Sequence, residues 1–123
     1  MSKARFLSSW FGIMDTDSAE RVLELITDDF QISILFSTGP DSSSEFAGDR
    51  TALEGYLAQR AKNVRVHTVV TSARNGNVEM VLGRVTRGGV FEASFNATAE
   101  IDPATDKARR LLICRTPAVE FSA

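Results

Sequence analysis

The chain has 123 residues, of which 43% are hydrophobic and 24% are charged, a balance typical of one globular domain with a single core. Its net charge of −2 argues against binding to nucleic acid or to an anionic membrane, because both need a basic surface. The one cysteine excludes an internal disulfide, and no apolar run has the length of a signal peptide or a membrane span, so we expect a cytoplasmic protein.

The N-terminal segment predicts two helices. Apolar side chains recur at spacings of three and four over residues 3–14, which is the pattern of a helix with one buried stripe. Residues 15–17 break this pattern. Asp17, followed three residues later by Glu20, has the form of a capping box that opens a second helix, which we expect to end near residues 28–29.

A strand, a loop and a third helix follow. Residues 30–36 alternate between apolar and polar side chains, as a half-buried strand does. Residues 38–44 predict a loop, and residues 45–47 predict a short edge strand. Asp49 is suited to cap the N-terminus of a third helix that runs to about residue 62.

The C-terminal half, residues 64–121, predicts four antiparallel strands joined by three hairpins. Residues 74–77 contain Asn-Gly and residues 87–89 contain Gly-Gly, which supply the positive φ of primed turns, while residues 102–106 form a longer turn. Strict alternation over residues 91–101 predicts that Phe91, Ala93, Phe95, Ala97, Ala99 and Ile101 point inward and that Glu92, Ser94, Asn96, Thr98 and Glu100 point outward. Helices first and strands later predict an α+β fold in which a curved, mainly antiparallel sheet wraps over the helices.

Three local features, in this order, resemble the SnoaL-like family of the nuclear transport factor 2-like superfamily. They are the acidic turn at residues 14–17, the phenylalanine-glycine approach to the third helix at residues 46–53, and His67 early in one strand with Arg115 late in the last. The resemblance covers residues 1–123 as a single SnoaL-like domain. It implies a cone-shaped fold, with three N-terminal helices packed in a strongly curved mixed sheet that closes around a pocket.

The resemblance also implies a class of activity. The superfamily includes ketosteroid isomerase, scytalone dehydratase, polyketide cyclases and hexachlorocyclohexane dehydrochlorinase, together with small proteins that only bind or dimerise. The dehydrochlorinase and scytalone dehydratase type is the nearest likeness. The aspartate, histidine and arginine of the dehydrochlorinase fall on Asp15, His67 and Arg115 here.

These three residues suit proton abstraction. A carboxylate bonded to one imidazole nitrogen fixes the tautomer and stabilises the imidazolium that forms when the other nitrogen accepts a proton. Arg115 would supply a fixed positive charge for an enolate, a leaving group or a substrate carboxylate. We therefore expect a cofactor-independent lyase or isomerase acting on a small hydrophobic molecule. The alternative is a non-catalytic ligand-binding or dimerisation module of the same fold.

The predicted pocket has an apolar wall with one further carboxylate. Its candidate substrate-binding residues are Trp10, Phe11, Met14, Phe30, Phe46, Tyr56, Val69, Glu79, Val81, Phe95 and Ile113. The aromatic side chains among them are also suited to an ordinary core. Glu79 is either a pocket carboxylate or a strand-end residue in water.

Structural roles remain open for the three candidate catalytic residues. His67 could be a core histidine whose hydrogen bonds are satisfied, and Asp15 could end the first helix or cap the next. Arg115 could form a structural ion pair with Asp15 or Glu79.

The residue types present also bear on metal binding and on assembly. One histidine and one cysteine do not make a typical zinc site, so no metal is expected. The outer face of the sheet carries apolar side chains, among them Met80, Leu82 and Leu112, and this predicts a homodimer packed sheet on sheet.

Overall fold

The computed structural model describes residues 3–60 and 64–122 of the chain. Its helical elements are α1 (Arg5–Met14), a 3₁₀ helix (Ala19–Leu25) and α2 (Arg50–Gln59). Its strands are β1 (Ile26–Gly39), β2 (Ser42–Asp49), β3 (Arg65–Asn75), β4 (Val78–Arg87), β5 (Val90–Asp102) and β6 (Lys107–Thr116). No helix in the described part of the chain is long and apolar enough to span a membrane.

The six strands form one mixed sheet in the order β2-β1-β6-β5-β4-β3. Among the described strands only the pair β1–β6, the second from the β2 edge, is parallel, and the other four pairs are antiparallel. β-Bulges interrupt the register in β3 after Val69 and in β5 beside Val85, and such bulges bend a strand and increase its twist. Helix α1 packs against β3, β4 and β5, and α2 contacts β1 and β2.

The predicted four-strand meander is confirmed, and the turn residues explain its hairpins. Gly76, Gly88 and Gly89 all have positive φ, at 59°, 59° and 81°. Glycine adopts these angles without the steric cost that a side chain would add, so the two tight turns are encoded locally. The longer third turn ends at Asp106, which also has positive φ.

The second helix differs from its prediction in type and in length. It is a 3₁₀ helix that begins after Ser18 without any side-chain cap, so the predicted Asp17–Glu20 capping box is wrong. The Thr16 hydroxyl closes this turn instead, donating to the Ile13 carbonyl at 2.7 Å and accepting from the Ser18 N–H at 3.2 Å. The helix ends at Leu25 because β1 has already begun at residue 26, where it pairs with β6.

The start of α2 follows the prediction. Asp49 caps the helix through a hydrogen bond of 2.9 Å from the Ala52 N–H to its carboxylate. Gly48 has no room for a side chain, because a Cβ there would meet the Cβ of Ala52. The helix ends at residue 59, and residues 61–62 of the predicted helix lie outside the described residues.

The segment predicted as a loop at 38–44 is mostly strand. Strands β1 and β2 form a hairpin that turns at residues 40–41, and β2 is longer than the three residues that the sequence predicted. Residues 37–44 of this hairpin include no buried side chain, so alternating hydrophobicity does not mark this part as strand.

Candidate active site

The centre of the candidate site is a hydrogen-bonded aspartate–histidine pair. Asp15 is the C-cap of α1, and His67 is the third residue of β3. Asp15 Oδ1 lies 2.6 Å from His67 Nδ1, and Oδ2 accepts the His67 backbone N–H at 2.7 Å. The carboxylate thus holds both the ring and the backbone of the histidine in place.

This pairing defines the free nitrogen of the imidazole. An ionised carboxylate only accepts hydrogen bonds, so a neutral imidazole in this position carries its hydrogen on Nδ1 and has its lone pair on Nε2. Among the described residues, Nε2 has no hydrogen-bond partner. The ring is stacked on Phe11 with centroids 5.0 Å apart and meets the edge of Phe95 at 5.5 Å. Its side chain is only 12% exposed, so the orientation is fixed by packing as well as by Asp15.

His67 borders a cavity of about 340 Å³, which lies within the range of small-molecule sites. The wall combines aromatic and aliphatic side chains with hydroxyl groups and arginines. Its residues are Trp10, Phe11, Met14, Ile34, Phe36, Thr38, Ser44, Tyr56, Arg60, Arg65, His67, Val85, Phe95, Ile113 and Arg115. Asp15 lies behind His67 and does not itself line the cavity.

Arg115 and Arg65 bring positive charge to the cavity wall and share one carboxylate. Arg65 is hydrogen-bonded to Glu92 through two nitrogens, at 2.7 and 3.2 Å, and Arg115 Nη2 lies 3.4 Å from the same carboxylate. The Arg115 guanidinium also lies over the ring of Phe36, 4.8 Å from its centroid. The alternative of an ion pair between Arg115 and Asp15 or Glu79 is therefore wrong.

Burial and hydrogen bonding shift the pKa values of Arg115 and Glu92 by different routes. Burial lowers the pKa of Arg115 below its ordinary value, and Glu92 opposes that effect. The hydrogen bond from Arg65 holds the pKa of Glu92 below 4.5, its ordinary value. Glu92 is therefore a carboxylate at neutral pH, and its negative charge orients both guanidinium groups.

The sequence pattern placed Glu92 on the wrong face of the sheet. Strict alternation pairs Phe91 with the inward residues of β5 and sends Glu92 outward. A bulge between Ala93 and Phe91 shifts the register by one residue, so Glu92 reaches the cavity-lining arginines. Phe91 instead lies against Arg84, 5.4 Å from its guanidinium carbon.

Glu79 has neither of the two roles predicted for it. It is 1% exposed, and its carboxylate accepts the backbone N–H groups of Phe6 at 3.3 Å and Leu7 at 3.1 Å. Arg74 Nη1 lies 3.1 Å from the same carboxylate. Glu79 thus caps the N-terminus of α1 from a distant strand, and it is neither a cavity residue nor a strand end in water.

The predicted substrate-binding residues fall into two groups by their position in the structure. Besides His67 and Arg115, the predicted residues that line the cavity are Trp10, Phe11, Met14, Tyr56, Phe95 and Ile113. The predicted residues that do not line it are Phe30, Phe46, Val69, Val81 and Glu79. Phe30 is fully buried and packs against Trp10, and Phe46 packs on Tyr56. A side chain on the inner face of the sheet can point either into the cavity or into the core beneath the helices, and the sequence pattern does not distinguish the two.

Other cavity residues were not predicted from the sequence. Ile34 and Phe36 share the inward face of β1, and their alternation was a usable signal. Val85 is the register partner of His67. Arg60 and Arg65 flank the connection between α2 and β3, and no local pattern marks an arginine there as a cavity residue.

Comparison with known proteins establishes the fold. No protein-family model matches the sequence, and no curated protein does. A protein of unknown function from Burkholderia xenovorans LB400, described as nuclear transport factor 2-like, matches with a TM-score of 0.69 at 13% identity, over 97% of this chain and 86% of that chain. A Kribbella flavida DSM 17836 protein, provisionally assigned as a ketosteroid isomerase, matches with a TM-score of 0.69 at 14% identity, over 98% and 82%.

A third solved structure belongs to the SnoaL-like family by its own description. It comes from Agrobacterium tumefaciens str. C58, is provisionally assigned as an isomerase, and has a TM-score of 0.67 at 8% identity, over 94% of this chain and 98% of that chain. The chain therefore has the nuclear transport factor 2-like fold that the resemblance predicted. At such low identities the likeness shows the fold and not the activity.

Proposed function

We propose that this chain is a cofactor-independent lyase or isomerase that removes a proton from a small hydrophobic molecule in the cavity. The observation that supports it is the Asp15–His67 hydrogen bond of 2.6 Å beside a cavity bordered by the same imidazole. In this proposal His67 is the base, Asp15 is its positioning residue and Arg115 provides electrostatic stabilisation.

The proposed step begins with transfer of a proton from a substrate C–H or O–H bond to His67 Nε2. In an elimination, the electrons of a C–H bond form the new double bond, and the leaving group departs with the electrons of its own bond. In an isomerisation, the protonated imidazole returns the proton to another atom of the substrate. Asp15 stabilises the imidazolium in both cases, and assistance of this kind is worth roughly 10²–10⁴ in rate.

Arg115 is suited to the negative charge that this step creates. Its guanidinium remains positive in spite of partial burial, and Phe36 and Glu92 hold it in one orientation. A fixed positive charge in a partly dry cavity stabilises an enolate or a departing anion more than the same charge would in water. The names of two structural neighbours, provisionally assigned as isomerases, support this class of reaction.

The test measures hydrogen exchange in a panel of compounds rather than turnover of one chosen substrate. A panel of cyclic ketones, alcohols and haloalkanes is incubated with the protein in deuterated water, and exchange, elimination and isomerisation are followed by NMR. We expect His67→Gln to lower the rate by roughly 10²–10⁴-fold. We expect Asp15→Asn to lower it by roughly 10²-fold or more. Asp17→Asn is the matched control, because Asp17 is exposed and lies outside the cavity wall.

Two outcomes would contradict the proposal. If His67→Gln turned over an accepted substrate at the wild-type rate, the imidazole would not be the base. If Asp15→Asn lowered the rate no more than Asp17→Asn, the hydrogen-bonded pair would be structural.

The alternative is a module of the same fold that binds a ligand without reacting with it. The apolar part of the cavity wall suits such a role. The aspartate–histidine pair favours the enzyme, because binding an apolar molecule requires no oriented imidazole. Binding of a panel member without exchange or turnover would support the module.

We also propose that two copies associate through the outer face of the sheet. Leu35 and Leu112 lie on the adjacent strands β1 and β6 and are 40% and 49% exposed, and Met80, which is 38% exposed, lies on β4, separated from β6 by β5. Burial of such side chains between two identical faces would remove apolar surface from water, which favours a symmetric dimer.

A further inference from the structure

The charged residues of the cavity wall are all basic. Arg60, Arg65 and Arg115 line it, and within the described part of the chain no aspartate or glutamate does. Two carboxylates stand behind the wall: Asp15 is bonded to His67, and Glu92 is bonded to Arg65. With a neutral imidazole, three positive and two negative charges leave the site with one excess positive charge.

The single carboxylate of Glu92 is shared between two guanidinium groups. Its shorter contacts go to Arg65, while Arg115 Nη2 lies 3.4 Å away. One carboxylate neutralises one guanidinium, so the Arg65–Glu92–Arg115 cluster retains a positive charge next to the cavity. Partial burial makes that charge costly unless an anion meets it, because a desolvated charge needs a partner.

Arg60 has a different environment. It follows the last turn of α2, and its Nη1 donates to the Met14 carbonyl at 2.9 Å, one residue before Asp15. Among the described residues it has no carboxylate within ion-pair distance. The hydrogen bond to the Met14 carbonyl and a second one from Nη1 to the Met14 sulfur, at 3.6 Å, orient the guanidinium at the cavity wall without neutralising its charge.

We propose that the substrate is a monoanion, a carboxylate carried on a compact apolar body, and that the arginine side of the cavity binds this carboxylate. The proposal rests on the proposed function, since it names the substrate class of the same site. Guanidinium groups match the two oxygens of a carboxylate, and Phe11, Trp10 and Ile113 offer apolar contact to the body. A neutral molecule would leave the excess charge unpaired, and a phosphate dianion would exceed it.

The experiment measures binding of unreactive probes by calorimetry at low ionic strength. The probes are 1-naphthoate, its neutral analogue 1-naphthamide and the dianion 1-naphthyl phosphate. We expect the wild-type protein to bind 1-naphthoate about tenfold or more tightly than 1-naphthamide, since hydrogen bonds to a charged group are worth that factor. We expect 1-naphthyl phosphate to bind no more tightly than 1-naphthoate.

Three substitutions test which charges act. Arg60→Gln removes a charge without leaving a carboxylate unpaired, and we expect it to weaken 1-naphthoate binding about tenfold while 1-naphthamide binding is unchanged. Glu92→Gln adds one unit of excess charge, so it should strengthen 1-naphthoate binding. Arg110→Gln is the matched control, because Arg110 pairs with Glu100 away from the cavity wall and should change neither affinity.

Equal wild-type affinities for 1-naphthoate and 1-naphthamide would overturn the inference, and so would an Arg60→Gln variant that weakens both probes equally. Tighter binding of 1-naphthyl phosphate would overturn the assignment of a monoanion. These outcomes are independent of turnover. Full exchange activity in His67→Gln would overturn the proposed function and leave the measured anion preference in place.

Discussion

Substituting Glu79 by glutamine tests how the helix that carries the candidate site is held on the sheet. The carboxylate makes three contacts: the N–H groups of Phe6 and Leu7 at 3.3 and 3.1 Å, and Arg74 at 3.1 Å. It is 1% exposed, so water cannot replace a contact that is lost. The glutamine side chain retains one acceptor oxygen and presents an NH₂ group where the other oxygen stood.

The magnitude follows from these contacts. Glutamine loses at least one hydrogen bond to a charged acceptor, worth about 1.5–3 kcal/mol, and the favourable charge at the N-terminus of α1, worth up to about 2 kcal/mol when partly buried. The pair with Arg74 adds little, because the Arg74 side chain is 36% exposed and its interaction is screened. We expect Glu79→Gln to lower the free energy of unfolding by about 2–4 kcal/mol, a large part of the stability of a small domain.

Urea unfolding followed by tryptophan fluorescence and by circular dichroism is the assay. The chain has one tryptophan, Trp10, which lies on α1 and is 1% exposed, so its emission reports directly on docking of this helix. Glu100→Gln is the matched control. Glu100 lies on the neighbouring strand in an exposed pair with Arg110, and its substitution should cost less than about 1 kcal/mol.

A loss below about 1 kcal/mol for Glu79→Gln, or a loss equal to that of Glu100→Gln, would refute the argument that a buried carboxylate caps α1. Because α1 ends next to Asp15, a loosened helix should also weaken the Asp15–His67 pair. We therefore expect the Glu79 variant to lose exchange activity at denaturant concentrations at which the wild type is still fully active.

The other predictions concern packing, acid stability and assembly. Gly83→Ala should destabilise the protein by about 1–3 kcal/mol, because the new Cβ would lie 2.6 Å from Cε1 of Phe95 and 2.8 Å from a backbone oxygen of β3. Thermal unfolding measures this loss of stability. Because the pKa of Glu92 is lower in the folded than in the unfolded chain, its charge stabilises the fold above pH 4.5, and this contribution is lost as the pH falls through the folded pKa. Glu92→Gln should therefore be less stable than the wild type at neutral pH, and the difference should shrink below pH 4.5 in urea titrations. Leu112→Glu should shift the protein toward the monomer in light scattering coupled to gel filtration, because it puts two charges into the proposed dimer face.

Each of these predictions has an outcome that contradicts it. Wild-type stability of Gly83→Ala would show that Phe95 and the strand pair have room; Gly12→Ala, with nothing within 4 Å of the added Cβ, is the control and should not destabilise. An unchanged stability difference across the acid range would remove Glu92 from the pH dependence. A wild-type chain that elutes as a monomer would exclude the dimer.

Local sequence determined the elements whose causes are local. The Asn-Gly and Gly-Gly turns fixed two hairpins because glycine alone adopts their φ angles freely, and Asp49 fixed the start of α2 because its carboxylate reaches the N–H of Ala52. Alternation over β5 and β6 also placed Phe95, Ile113 and Arg115 on the inner face. The candidate pair of Asp15 and His67 came from the family resemblance, because its partners are 52 residues apart and no local pattern joins them.

Only the tertiary structure decided where the charges meet. A one-residue bulge in β5 moved Glu92 to the inner face, and a bulge leaves no reliable mark on a pattern with a period of two. Glu79 accepts hydrogen bonds from Phe6 and Leu7, which are 73 and 72 residues away at the start of α1. No sequence pattern showed where this helix packs on the sheet. The sequence predicted the strands because their alternation repeats along the chain, and it predicted the tight turns because glycine marks them locally. The pairing of buried charges depends instead on how the bent sheet brings distant residues together.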